Sequence, residues 1–117
     1  MTITNPTPGK FGFIANAVFA DASGCEEIKA APAAGLSIII DHFTINNGAG
    51  AQSITIGEGE TGPGSVETAL IGPIAMAANT SLQWDFPYGM VLSAAKSLTV
   101  DSSSNTALCI FVQGRVQ

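Results

Sequence analysis

The run Leu36-Ser37-Ile38-Ile39-Ile40-Asp41-His42-Phe43-Thr44-Ile45, the cluster Asn46-Asn47-Gly48-Ala49-Gly50 and the run Gln52-Ser53-Ile54-Thr55-Ile56 decide the fold class. β-Branched and aromatic residues fill both runs and Asn and Gly fill the gap, the pattern of two strands joined by a turn. Asn47-Gly48 suits that turn because both residue types tolerate positive φ. A central hairpin is therefore expected here. In the second run Ile54 and Ile56 alternate with Ser53 and Thr55, so one face is packed and the other wet. In the first run the phase slips: Leu36, Ile38 and Ile40 share one face, Phe43 and Ile45 the other. Either both faces are covered, or a bulge near Asp41-His42 re-aims the strand. The bulge is the preferred reading, because those two form the only polar pair in the run. An all-β domain with a two-sheet core follows.

At 117 residues the chain fits one domain and can bury a core. A hydrophobic fraction of 46% and a mean hydropathy of +0.36 exclude disorder. Only 11% of residues are charged, against roughly 25% in ordinary soluble domains. Such a surface is expected to be covered in part by further copies of the chain or by a partner. The net charge is −5, and the fixed cations Lys10, Lys29, Lys96 and Arg115 are scattered. Binding to a nucleic-acid backbone needs clustered cations, so no nucleic-acid partner is expected. Met1-Thr2-Ile3-Thr4-Asn5 has neither a basic nor an apolar signal region, and synthesis in a cytoplasm is expected. The apolar run Ala69–Ala78 is short and broken by Gly72-Pro73, so no membrane span is expected. Cys25 and Cys109 then read as free thiols rather than a bridge.

Residues 1–10 read as an extended N-terminal arm, because Pro6 and Pro8 fix φ and remove backbone donors. Ten residues in that conformation reach about 30 Å, enough to touch a neighbouring subunit. Residues 11–117 form the expected single domain. Phe11–Ala20 is a strand with Phe11, Phe13, Ala15, Ala17 and Phe19 on one face. Cys25–Ala31 suits either a helical turn or an edge strand, and Pro32 stops both. Gly57–Gly64 reads as a loop by composition. Val66–Met76 is a weaker strand interrupted at Gly72-Pro73, and Ser65 with Thr68 could instead begin a helical turn. After a turn at Asn79-Thr80, Ser81–Phe86 alternates cleanly, with Leu82, Trp84 and Phe86 on one face. Pro87-Tyr88-Gly89 bends the chain. Met90–Leu92, Ser97–Asp101 and Leu108–Val116 complete about eight or nine short strands, with no long helix.

No motif carries catalysis. Gly57-x-Gly59-x-x-Gly62 matches the dinucleotide fingerprint in letters, but no helix follows and Glu58 and Glu60 would repel phosphate. His42 is the only histidine, and its neighbour Asp41 would point to the opposite face of a regular strand. Structural hydrogen bonding is the better reading of His42. Glu58, Glu60 and Glu67 lack the spacing of a calcium loop and read as solvated charges. Trp84, Phe86 and Tyr88 could line a sugar-binding face, although core packing accounts better for Trp84 and Phe86. No enzyme activity, cofactor or metal is expected.

The segments Gly35-x-x-Ile38-x-Ile40-x-x-Phe43-x-Ile45-x-Asn47-Gly48, Asn79-Thr80-Ser81-Leu82-x-Trp84-Asp85-Phe86-x-x-Gly89-Met90-Val91-Leu92, Ser97-Leu98-Thr99-Val100 and Cys109-Ile110-Phe111-Val112-Gln113-Gly114 come in a telling order. Together they resemble small jelly-roll structural proteins of tailed bacteriophages, over roughly residues 33–116. That group includes capsid decoration, or cement, proteins. The resemblance implies an antiparallel β-sandwich of jelly-roll type, a homo-oligomer that is commonly a trimer, and the major capsid protein as partner. It implies a place in the virion and no catalytic residues. A tail or head–tail component is the alternative station, and a carbohydrate-binding β-sandwich the alternative class.

Overall fold

The computed structural model describes residues 2–4, 12–19, 25–61, 65–103 and 108–117. Among them lie nine strands and no helix. They are β1 (Thr2–Thr4), β2 (Gly12–Phe19), β3 (Cys25–Lys29), β4 (Ile38–Asn47), β5 (Gln52–Thr61), β6 (Ser65–Met76), β7 (Ser81–Val91), β8 (Leu98–Ser102) and β9 (Leu108–Val116). One sheet has the order β1-β2-β9-β4-β7 and the other β3-β8-β5-β6, with antiparallel pairing throughout. The pairs β2·β9, β3·β8, β4·β7 and β5·β6 nest inside one another. A long ribbon ending at the β5–β6 turn has thus been rolled up, which is the double Greek key of a jelly roll.

This winding overturns the central hairpin. β4 and β5 follow one another in sequence but lie in different sheets, so residues 48–51 form a crossover between layers. Neither Asn47 nor Gly48 takes positive φ. Asn47 is buried instead, and its amide donates to Gly50 O at 3.0 Å and Ala77 O at 2.9 Å. Gln52 donates to Asn47 Oδ1 at 2.6 Å. The crossover is held by side-chain hydrogen bonds to backbone rather than by a tight turn. Both strands keep their strand character because each has partners elsewhere: β4 between β9 and β7, β5 between β8 and β6.

The bulge is where the phase slip puts it. The register of β4 shifts between Ile40 and His42 against both neighbours. Asp41 absorbs the extra position, so Ile38, Ile40, Phe43 and Ile45 all point inward and are fully buried. They meet Ala15 and Ala17 of β2 and Ile110 and Val112 of β9 within their own layer. Across the gap lie Ile54 and Ile56 of β5 and Leu98 and Val100 of β8. Trp84 and Phe86 are partly buried against this cluster, and the Trp84 ring lies 6.1 Å from that of Phe43.

Several boundaries differ from expectation. Gly57–Thr61 is not a loop but the second half of β5. Its glycines are needed because β6 crosses closely: a Cβ on Gly57 would collide with Val66 and the Thr68 carbonyl. β6 runs unbroken through Gly72-Pro73, where register shifts against β5 absorb the irregularity. Cys25–Lys29 is an edge strand, not a helical turn. Met90 and Val91 belong to β7, which passes Pro87 through a bulge. Of the expected arm, Thr2–Thr4 lies along β2 as an edge strand. Residues 5–10, and with them Pro6, Pro8 and Lys10, are outside the described residues, as is Phe11.

Candidate functional site

Charge is sorted between the two layers. The four-stranded layer and its loops carry Glu26, Glu27, Glu58, Glu60, Glu67 and Asp101 against Lys29 and Lys96. That is six carboxylates to two lysines. Among the described residues the five-stranded layer carries only Asp41, Asp85 and Arg115, with His42 among them. There Arg115 Nη1 donates to Asp41 at 2.5 Å in an ion pair, and the exposed Asp85 is hydrogen-bonded, its Oδ1 2.6 Å from His42 Nδ1.

Around that pair the outward positions of β2, β9, β4 and β7 alternate with the buried ones. Cross-strand register sets Asn16, Phe111, Thr44 and Gln83 in one row and Ile14, Gln113, His42 and Asp85 in the next. The result is a broad face of neutral polar side chains around the half-buried ring of Phe111. His42 lies edge-on to that ring at 6.2 Å.

His42 also lies 2.7 Å from Thr44 Oγ1 through Nε2. With its proton on Nδ1 the imidazole donates to Asp85 and accepts from the Thr44 hydroxyl, the connectivity of a nucleophile triad. Acyl transfer needs more: donors aimed at the developing oxyanion and a site that excludes water. The N–H groups of β4 face ladders on both sides, and the Asp85 side chain is 77% exposed. The arrangement acts as a strut that pins β7 to β4 just before the β7 bulge. The sequence placed His42 as structural but did not reach Asp85, because that contact spans 43 residues and depends on the β4–β7 register.

The other motif residues are dispersed. Glu58 is buried, and its carboxylate accepts from Ser93 N at 2.7 Å and Ser93 Oγ at 2.6 Å, tying β5 to the β7–β8 connection. Glu67 accepts from Lys96 Nζ at 2.9 and 2.7 Å. Among the described residues no three His, Cys, Asp or Glu side chains gather as metal ligands. The Gly57-x-Gly59 pair lies within a strand, where no helix N-terminus can receive a phosphate. Trp84 and Phe86 turn inward while Tyr88 is 95% exposed, so they form no common platform for a sugar.

The two cysteines are free and lie in different sheets. Cys109 Sγ donates to Asn16 Oδ1 at 3.1 Å. Burial pushes the Cys25 thiol above its usual range, and Glu60, Asp101 and Glu26 add to the effect against an opposing hydrogen bond from Thr99. A raised thiol holds less thiolate at neutral pH, and thiolate is the reactive form. In a Cys109→Ser chain, alkylation of Cys25 by iodoacetamide at pH 7 is expected to run several-fold slower than in an unstructured peptide. The gap should close as pH rises through the thiol range. Equal rates at pH 7, followed by mass spectrometry, would contradict this environment.

No protein-family model, curated protein or solved structure matches the chain.

Proposed function

We propose that this protein is a non-enzymatic virion structural protein that assembles with copies of itself and binds the outside of a virus capsid. The observation that supports this reading is the sorting of charge in a jelly-roll sandwich. One layer is acidic, and the other offers a wide face whose described charges are one ion pair, Asp41–Arg115, and one carboxylate, Asp85, hydrogen-bonded to His42. A surface of that kind suits association with protein. The resemblance to phage decoration proteins adds the trimeric state and the major capsid protein as partner. Function then requires no chemistry. A copy that contacts two shell subunits binds only the assembled shell, and so stabilises it by mass action.

The test is occupancy. The purified chain, mixed with capsids lacking it, is expected to cosediment at a fixed copy number per shell and to raise the temperature at which the shell comes apart. Native mass measurement of the free chain is expected to give a trimer. Cosedimentation with isolated tails and not with capsids would move the protein to the tail or head–tail station. A monomer that binds neither would overturn the reading.

A further inference from the structure

We infer that copies of this chain meet through the outer face of the five-stranded sheet, with Tyr88 at its β7 edge as the anchor. The inference rests on the self-assembly proposed above and says where it happens.

Charge decides between the two faces. The chain carries −5, and copies meeting through the four-stranded layer would bring together two layers that each hold six carboxylates against two lysines, with Glu58 buried and Glu67 paired to Lys96. Like charges brought together and desolvated at an interface oppose association. On the five-stranded face Asp41 and Arg115 pair within the copy, Asp85 is hydrogen-bonded to His42, and the remaining outward side chains near Phe111 are neutral, which leaves one net negative charge. A second copy that covers that face meets one net negative charge, against four on the other layer. For a self-associating anion this is the face with the smaller like-charge penalty.

Strand addition is not the route. β1 has three residues, β3 carries Glu26, Glu27 and Lys29, and β6 and β7 contain Pro73 and Pro87. Short length, charge, proline and bulges each blunt an edge against pairing. Contact must therefore come from side chains.

The β7 bulge supplies one. Ile40 pairs with Met90 and His42 with Asp85, so Phe86, Pro87, Tyr88 and Gly89 all stand opposite Asp41 alone. Gly89 makes the bulge possible: its φ is +79°, and a Cβ there would run into Ile39. A bulge of this size re-aims side chains. Phe86 turns toward the core, while Tyr88 stands 95% exposed beside Val91 at 59%. A tyrosine offers large contact area with few rotatable bonds, which is why it recurs as an interface anchor. Leaving one in water on a built bulge has no packing purpose within the chain.

Sedimentation velocity of the full chain against three single variants tests the assignment. Tyr88→Ala removes the anchor, Gln113→Glu places an unpaired charge on the neutral face, and Thr68→Glu adds the same charge at an exposed position on β6. All three positions are exposed, and thermal melts monitor the fold. Tyr88→Ala and Gln113→Glu are each expected to weaken self-association at least tenfold, with Thr68→Glu unchanged. An oligomer that survives both, or that Thr68→Glu alone disrupts, overturns this interface while leaving self-assembly in place. A wild-type chain that is monomeric at micromolar concentration overturns the assembly itself.

Discussion

Phe43→Ala is expected to lower the unfolding free energy by about 3–5 kcal/mol, the range for emptying a buried aromatic site. Phe43 has no exposed surface and stands at the centre of β4, with Val112 beside it on β9 and Trp84 on β7. Both neighbouring strands are fixed by long ladders, so the cavity cannot collapse. Domains of this size have a total stability of about 5–15 kcal/mol, and the loss is therefore a large share of it. Phe43→Leu keeps most of the volume and is expected to cost less than half as much. Urea unfolding monitored by Trp84 fluorescence measures both, because the indole lies against the ring that is removed. A change under 1 kcal/mol for Phe43→Ala would mean that the two layers do not pack as described.

The second large effect is expected at Gly114. This residue pairs with Phe13 on one side and Ile40 on the other, and a Cβ would collide with the Ile39 carbonyl and touch the Phe13 ring at 3.0 Å. The carbonyl belongs to the strand segment entering the β4 bulge and cannot be moved without opening the β4–β9 ladder. Gly114→Val is expected to cost about 1–3 kcal/mol for overpacking. A broken ladder hydrogen bond adds about 1 kcal/mol more. Thr68→Val, at an exposed position on β6 away from this contact, serves as control and is expected to stay within about 0.5 kcal/mol. Equal urea midpoints for the two variants would contradict the close approach of β9 to β4.

The acidic layer shows how little of the functional surface a sequence displays. Glu58, Glu60 and Glu67 read alike as loop charges. In the fold one is buried on Ser93, one is exposed and one is paired to Lys96. Which fate each meets depends on where the β7–β8 connection passes over β5 and β6. Likewise Asp41 and Asp85 differ in nothing local. Their partners, Arg115 and His42, are chosen by the register of β9 and β7 on either side of β4.

By itself the sequence determined the all-β class, the inward faces of β2 and β7, the packed positions Ile54 and Ile56 of β5, and the slip at Asp41-His42. Each of these is written in a two-residue period or its interruption, and side-chain burial along a strand is a local consequence of that period. The tertiary structure alone decided that β4 and β5 are in separate sheets, that the glycines after Ile56 continue a strand, and that four residues bulge out to present Tyr88. Pairing in a jelly roll joins segments as far apart as Gly12 and Arg115, and nothing in a run of apolar residues names its partner. Layering, and with it the neutral and the acidic face, exists only once the ribbon has rolled.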